Sequence, residues 1–150
     1  MNDCYSCRQT AAASAQPPRE RIWSDGVWRV AHAIECALPG WVVVLPARHV
    51  VSPAELSAEE AAALGPLLRA VSRAVVDVTG CERTYLAMFA EKEGFQHLHV
   101  HVVPRHADLP DDRRGPGVFW YVRRPPSEWV SNAEMDRLAA AMAERIGLDH

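Results

Sequence analysis

The segment His97-Leu98-His99-Val100-His101-Val102-Val103-Pro104-Arg105 constrains this 150-residue chain more than any other. Its histidines alternate with apolar residues at a period of two, the pattern of a half-buried strand. Each strand residue rises roughly 3.3 Å, so successive imidazoles are expected about 7 Å apart on one face. Leu98, Val100 and Val102 then point the other way, into a core. Pro104 has no amide proton for a sheet ladder and is expected to mark the end of the strand. Three imidazoles on one face admit three readings. They are solvated histidines on a polar sheet face, a metal site, or nucleophilic catalysis by a neutral ring nitrogen. Spacing alone does not separate the last two.

The length fits one domain spanning 1–150, with an N-terminal segment and linker at 1–20, a core at 21–104 and a C-terminal loop and helix at 105–150. Hydrophobic residues make up 49% and charged residues 23%, a globular balance. A net charge of −3 and a pI of about 6.1 argue against a general nucleic-acid or anionic-membrane binder. A phosphate-bearing ligand would need a local positive site instead. No apolar run approaches the ~18 residues of a membrane span. Met1-Asn2-Asp3 opens without the basic-then-apolar pattern of a secretory signal, so a cytoplasmic location is expected. In that compartment four cysteines favour metal binding or free thiols over disulfides.

The remaining elements follow from local signals. Arg21-Ile22-Trp23 and Val27-Trp28-Arg29-Val30-Ala31 flank Ser24-Asp25-Gly26, a hairpin signal. Leu38-Pro39-Gly40 is a turn, and Trp41-Val42-Val43-Val44-Leu45 is a continuous apolar strand, expected at the centre of the sheet and ended by Pro46. Ser57 and Glu60 form a capping box ahead of a long helix with an apolar stripe at Leu64, Leu67, Leu68, Val71, Val75 and Val78. The stripe reads as core packing rather than a partner surface. Gly80 stops the helix, and Gly65-Pro66 is expected to kink it. Thr84–Ala90 is another strand, and Glu91–Gly94 a turn. Residues 105–117 form a polar loop, with Val118-Phe119-Trp120-Tyr121 a short strand or an aromatic anchor. Ser131 and Glu134 start a last helix carrying Met135, Leu138, Met142 and Ile146, which Gly147 ends. Cys36 and Cys81 read as buried thiols. The order β-β-β-α-β-β-α implies an α+β fold with an antiparallel sheet of about five strands, one long helix and a C-terminal helix.

Cys4-Tyr5-Ser6-Cys7 is a C-x-x-C, open to reading as a redox pair, half of a metal site, or two unrelated thiols. No strand precedes it, as a thioredoxin-like motif requires. A zinc site needs two further ligands, for which His49 and one of the three clustered histidines are candidates. Residues 8–20 read as a surface linker, with at most one helical turn.

HLHVHVVPR resembles the histidine-triad (HIT) motif, His-φ-His-φ-His-φ-φ with φ apolar, at every position. The family consists of nucleotide hydrolases and transferases with an α+β fold, and its members usually dimerise. The resemblance implies that His99 attacks the α-phosphate of a nucleotide conjugate to form a nucleotidyl-histidine intermediate. It implies that His101 contacts the phosphate or aids proton transfer and that His97 supports the site. The acceptor is water or another group. The substrate would be a dinucleoside polyphosphate or a nucleoside phosphoramidate, and the partner a second copy of the chain. A zinc-binding branch, Hint-like and diadenosine-tetraphosphate-hydrolase-like, is similar through its N-terminal C-x-x-C. By that resemblance Cys4, Cys7, His49 and His97 hold one structural Zn²⁺.

The chain departs from the family pattern at several places. Trp41 stands where many members have a further histidine, and an indole donates one hydrogen bond and accepts none. Ala33 stands where many have a carboxylate for the ribose hydroxyls. Glu93 stands near a customary glutamine, where a carboxylate would repel phosphate. Backbone N–H groups near Gly94 are candidate phosphate donors. The degraded ribose set motivates an alternative, a non-catalytic scaffold binding a nucleotide or a protein, distinguished by binding without turnover. A redox-sensor reading of Cys4 and Cys7 would show zinc release on oxidation.

Overall fold

The computed structural model describes residues 4–149; Met1–Asp3, the start examined for a leader, lies outside them. Five strands form one antiparallel sheet: β1 (Trp23–Ser24), β2 (Trp28–His32), β3 (Val42–Pro46), β4 (Arg83–Ala87) and β5 (Val100–Arg105). Their spatial order is β1-β2-β3-β5-β4. The helices are α1 (Tyr5–Ala12), α2 (Ala58–Thr79) and α3 (Asn132–Asp149). The expected α+β architecture is therefore present, with Val42–Pro46 at the sheet centre as its apolar run implied. No helix among the described residues is long and apolar enough to cross a membrane.

The register divides the sheet into two faces. Arg29 pairs with Leu45, Ala31 with Val43, and Val43 with His101. Alternation therefore sets Arg29, Ala31, Val43 and His101 on one face and Trp28, Val30, Val42, Val44, Val100 and Val102 on the other. The second face is the core. It packs on Leu67, Val71 and Val75 of α2 and on Met142 and Ile146 of α3, all buried. Each such side chain contributes about 1.5–3 kcal/mol on burial. That sum outweighs the roughly 3 kcal/mol cost of a proline in a helix interior. α2 accordingly continues through Pro66 to Thr79.

The capping box at Ser57 and Glu60 is present. Ser57 Oγ accepts from Glu60 N at 3.0 Å and Glu60 Oε2 accepts from Ser57 N at 2.8 Å. The same carboxylate takes Arg48 Nε at 3.0 Å and Nη2 at 2.9 Å. The Arg48 guanidinium and the Ser57 N–H hold Glu60 down to about 2. The helix start thus anchors the segment that carries His49. Gly80 ends α2 in the left-handed conformation, with φ 72°. At α3, Ser131 Oγ accepts from Glu134 N, while the Glu134 carboxylate turns to Arg137. That helix continues past Gly147 to Asp149.

Three further expectations change. α1 runs Tyr5–Ala12 and so takes in residues 8–12 of the expected 8–20 linker, because the Ala-rich run propagates a helix that Cys4 O begins by accepting from Arg8 N. β5 runs through Pro104, which lies beyond the last β3 partner, the Val42–Val102 pair, so the missing N–H does not interrupt that ladder. Val118–Tyr121 lies in a 3₁₀ segment, Gly115–Arg123, and serves as the aromatic anchor.

Gly40 sits in the turn before β3 at φ 87°, and a Cβ there would overlap Thr79 Cγ2. Gly65 lies in α2 with open space around it. Gly40→Ala should therefore cost about 2–4 kcal/mol. Gly65→Ala should stabilise by about 0.5–1 kcal/mol. Urea unfolding of the two variants checks this, and equal effects would refute the assigned turn.

Candidate active site

A pocket of about 250 Å³ opens on the face of the sheet away from the core. Ala31 and Ala33 of β2 and its following turn, His99 and His101, and the rings of Phe95 and Phe119 line it. Small residues on β2 leave the space, and β5 brings the histidines to its edge.

Of the three clustered histidines, only His101 lies in regular strand: the ladder to β3 ends at the Val44–Val100 pair, although β3 itself continues to Pro46 against β2. Leu98 N then donates to Val50 O at 2.7 Å. The His99 and His101 rings meet at 4.8 Å and share the pocket. His97 faces elsewhere and is fully buried. Its Nε2–H donates to Pro46 O at 2.7 Å, which leaves Nδ1 bare. Burial lowers the pKa of His97.

His99 Nδ1–H donates to the His97 carbonyl at 2.6 Å. A carbonyl can only accept, so the proton is on Nδ1 and Nε2 carries a free lone pair. His101 is held in the other tautomer. Trp41 Nε1–H donates to its Nδ1 at 2.9 Å, so its proton is on Nε2. Burial, then the neighbouring His99, pushes His101 down to about 3.

The bare Nδ1 of His97 faces a compact donor set. It lies 3.5 Å from Cys4 Sγ, 3.6 Å from Cys7 Sγ and 3.3 Å from His49 Nδ1. His49 Nδ1 and Cys7 Sγ are 3.3 Å apart. The four ligand atoms all lie within 4.8 Å of one another. Tetrahedral zinc, with bonds of about 2.3 Å to sulfur and 2.0–2.1 Å to nitrogen, would space its ligands at about 3.3 Å for N–N and 3.6 Å for N–S. The set is compatible with a metal site, and it unites the four residues the sequence suggested. Burial, then Cys4, pushes the Cys7 thiol up to about 11.

Several features of the site were not read from the sequence. Tyr5 and Ser6, between the two cysteines, line the pocket. Tyr5 N donates to Gly94 O at 3.0 Å, and Tyr5 OH to Glu20 Oε1 at 2.8 Å. Burial and that carboxylate raise the Tyr5 pKa. Glu20 and Arg29 are themselves buried and line the same pocket, their charged groups 3.7 Å apart. Arg29 also donates to Thr10 Oγ1, Glu20 O and Ser6 O. An acidic and a basic residue flanking a hairpin were the available signal. Glu35, at φ 54°, accepts from Lys92 Nζ at 2.7 Å at the pocket. Glu91 and Lys92 line it, whereas Glu93 is exposed and outside the lining. His32 is buried in one tautomer, donating from Nδ1 to Ala33 O at 2.8 Å and accepting at Nε2 from Gly40 N at 3.0 Å. Cys36 and Cys81 are buried, and burial raises Cys36 to about 12.

Comparison with solved structures places this fold among known ones. A zinc-bound histidine triad family protein from Mycobacterium smegmatis aligns with a TM-score of 0.68 at 20% identity, covering 98% of this chain and 97% of that one. A hypothetical histidine triad nucleotide-binding protein from Sulfolobus tokodaii aligns with a TM-score of 0.69 at 17% identity, covering 95% and 93%. A histidine triad protein from Bradyrhizobium japonicum aligns with a TM-score of 0.68 at 23% identity, covering 84% and 89%. No curated protein sequence matches the chain. The family model described as the HIT domain matches residues 14–108, more than half of the sequence, and the chain belongs to that family.

Proposed function

We propose that this protein is a nucleotide-conjugate hydrolase or transferase that acts at the α-phosphate through a nucleotidyl-histidine intermediate on His99. The observation that carries this reading is the His99 tautomer. Its Nδ1 proton is committed to the His97 carbonyl, and its bare Nε2 borders a nucleoside-sized pocket. The structural relative from Sulfolobus tokodaii is titled a nucleotide-binding protein, which favours the same ligand class.

The steps follow from elementary chemistry. The Nε2 lone pair attacks phosphorus, and a P–N bond forms. The bond from phosphorus to the leaving group breaks, and its electron pair departs with that group. The imidazole becomes cationic, and the carbonyl 2.6 Å from Nδ1 stabilises that charge. The Nε2–H of His101 donates to a phosphoryl oxygen, as an oxyanion donor. Water or another acceptor then attacks phosphorus, the P–N pair returns to Nε2, and the acceptor's proton is released.

The metal belongs to the same reading. Two cysteines and two histidines at tetrahedral spacing suit zinc, with Cys4, Cys7, His49 and His97 as ligands and no open position. Bound there, it would supply structure alone, tying α1 to His97. The zinc-bound relative from Mycobacterium smegmatis supports this assignment and the placement in a zinc-binding branch. The reading includes a cytoplasmic homodimer. Ala33, which offers no carboxylate to a ribose, favours the second reading, a nucleotide-binding scaffold without turnover.

Intact-protein mass after brief mixing with adenylyl and guanylyl conjugates tests the reaction. The wild type should gain an acid-labile nucleotidyl mass or release product. His99→Ala should show no adduct and at least about a thousandfold less turnover. Nucleotide binding with neither adduct nor product would select the scaffold reading.

Elemental analysis should find about one zinc per chain, and Cys4→Ser should lose most of it and melt at a lower temperature. Purified protein without metal, and with melting unchanged by a chelator, would overturn the zinc assignment.

A further inference from the structure

The leaving group in the proposed reaction departs with an electron pair, and the pocket limits what can protonate it. Trp41 is fully buried, with Nε1–H directed at His101 Nδ1 at 2.9 Å. An indole N–H cannot accept. A proton added to His101 Nδ1 would set two N–H groups against each other at hydrogen-bond distance. The rest of the surroundings offer no relief. Phe119 stacks edge-on to His101 at 5.3 Å, and Trp41 at 5.5 Å. His99, at 4.8 Å, is the one titratable ring packed on it among the described residues, and its repulsion also opposes a charge.

Three other proton carriers of the pocket are engaged. The Tyr5 hydroxyl donates to Glu20, and Lys92 Nζ donates to Glu35. The His99 Nδ1 proton faces the His97 carbonyl. The His101 ring therefore offers a leaving group nothing beyond its Nε2–H.

We propose that Trp41 is a positioning residue that holds His101 as the neutral Nε2–H imidazole, and that the substrates of this chain are nucleotide anhydrides with a phosphate leaving group rather than phosphoramidates with an amine leaving group. The inference rests on the nucleotidyl-histidine reading and narrows it. With an anhydride, the His99 Nε2–P bond forms and the P–O bond to the bridging oxygen breaks. The pair passes to that oxygen, and its charge spreads over the departing phosphate without a proton. His101 keeps its proton and donates a hydrogen bond. With a phosphoramidate, the P–N bond would have to expel an amide anion unless the nitrogen first gained a proton. The neutral His101 does not supply one.

The test uses the purified wild-type protein with two probes, a diadenosine polyphosphate and an adenosine 5′-phosphoramidate of an alkylamine. Because general acid catalysis contributes about 10²–10⁴-fold, the anhydride should be favoured in kcat/KM by at least about a hundredfold. Nitrogen-15 NMR of the imidazoles should show His101 with Nε2 protonated and Nδ1 bare from about pH 5 to about pH 8, a range in which an unperturbed histidine titrates. Trp41→Phe frees Nδ1. That variant should lose the single tautomer, with an Nδ1–H form appearing beside Nε2–H in the nitrogen-15 shifts, while burial and the neighbouring His99 keep the ring neutral; a variant that keeps Nε2–H alone would overturn the positioning role. Equal turnover of the two probes by the wild type, or a His101 that titrates near its ordinary pKa, would overturn the inference while leaving the His99 adduct standing. Turnover of neither probe would remove the reaction and the inference together. If Trp41→Phe does not fold, the wild-type ratio and nitrogen shifts decide.

Discussion

The buried side chain of His97 is the constraint on which the rest of the site depends. Three of the residue's four polar atoms are committed in three directions. Nε2–H is fixed to Pro46 O, at the end of the central strand. Nδ1 faces Cys4, Cys7 and His49. The backbone carbonyl takes the His99 Nδ1 proton. One residue therefore orients the donor quartet and fixes the tautomer of the next histidine. A fully buried imidazole leaves no room for water to substitute for any of these bonds, so each must be made within the protein.

The sheet turns this local arrangement into a site by keeping its two faces distinct. One face is filled by α2 and α3, whose apolar stripes make it a core without gaps for a ligand. The other is built from Ala31 on β2, Ala33 just after it, Val43 on β3, His101 on β5 and His99 just before it, and a cavity remains there. α1 closes that cavity from the side. Because Tyr5 and Ser6 lie between Cys4 and Cys7, half of the donor quartet and part of the pocket wall belong to one segment. The contacts from Tyr5 to Gly94 and Glu20, and from Arg29 to Ser6, tie that segment to the sheet.

Much of this was legible from the sequence. The hairpin at Asp25-Gly26, the central strand, the Ser57–Glu60 cap and the stripe at Leu67, Val71 and Val75 all rest on local periodicity or local hydrogen bonding, which a sequence states directly. So did the membership of Cys4, Cys7, His49 and His97 in one cluster, although that came by family resemblance. What was missed depends on tertiary contact. The β5 ladder ends at Val100, and Leu98 N goes to Val50 O instead of to the sheet, a long-range partnership that the alternation of His97 and His99 does not encode. The helix at Tyr5–Ala12 was hidden because an Ala-rich stretch beside prolines reads as linker until something packs on it. The partnership of Trp41 with His101 joins residues 60 positions apart. The sequence marked Trp41 as a departure but could not show what its N–H would meet.

Charge in the pocket follows the same economy. Among the described residues that line it, the cations are Arg29 and Lys92, each matched by a carboxylate, Glu20 and Glu35. Glu91 adds a further negative charge at the rim. A phosphate arriving here meets no unpaired cation, in keeping with a chain whose net charge is −3. Its charge must be met by oriented neutral donors, of which the Nε2–H of His101 is one. In a pocket with little water such dipoles are worth more than in solution, and they need no reorganisation as charge develops. They also hold an anionic product less tightly than an unpaired lysine or arginine would. The buried indole of Trp41 thus fixes which nitrogen of His101 carries the proton, and with it the one N–H that ring can turn toward a ligand.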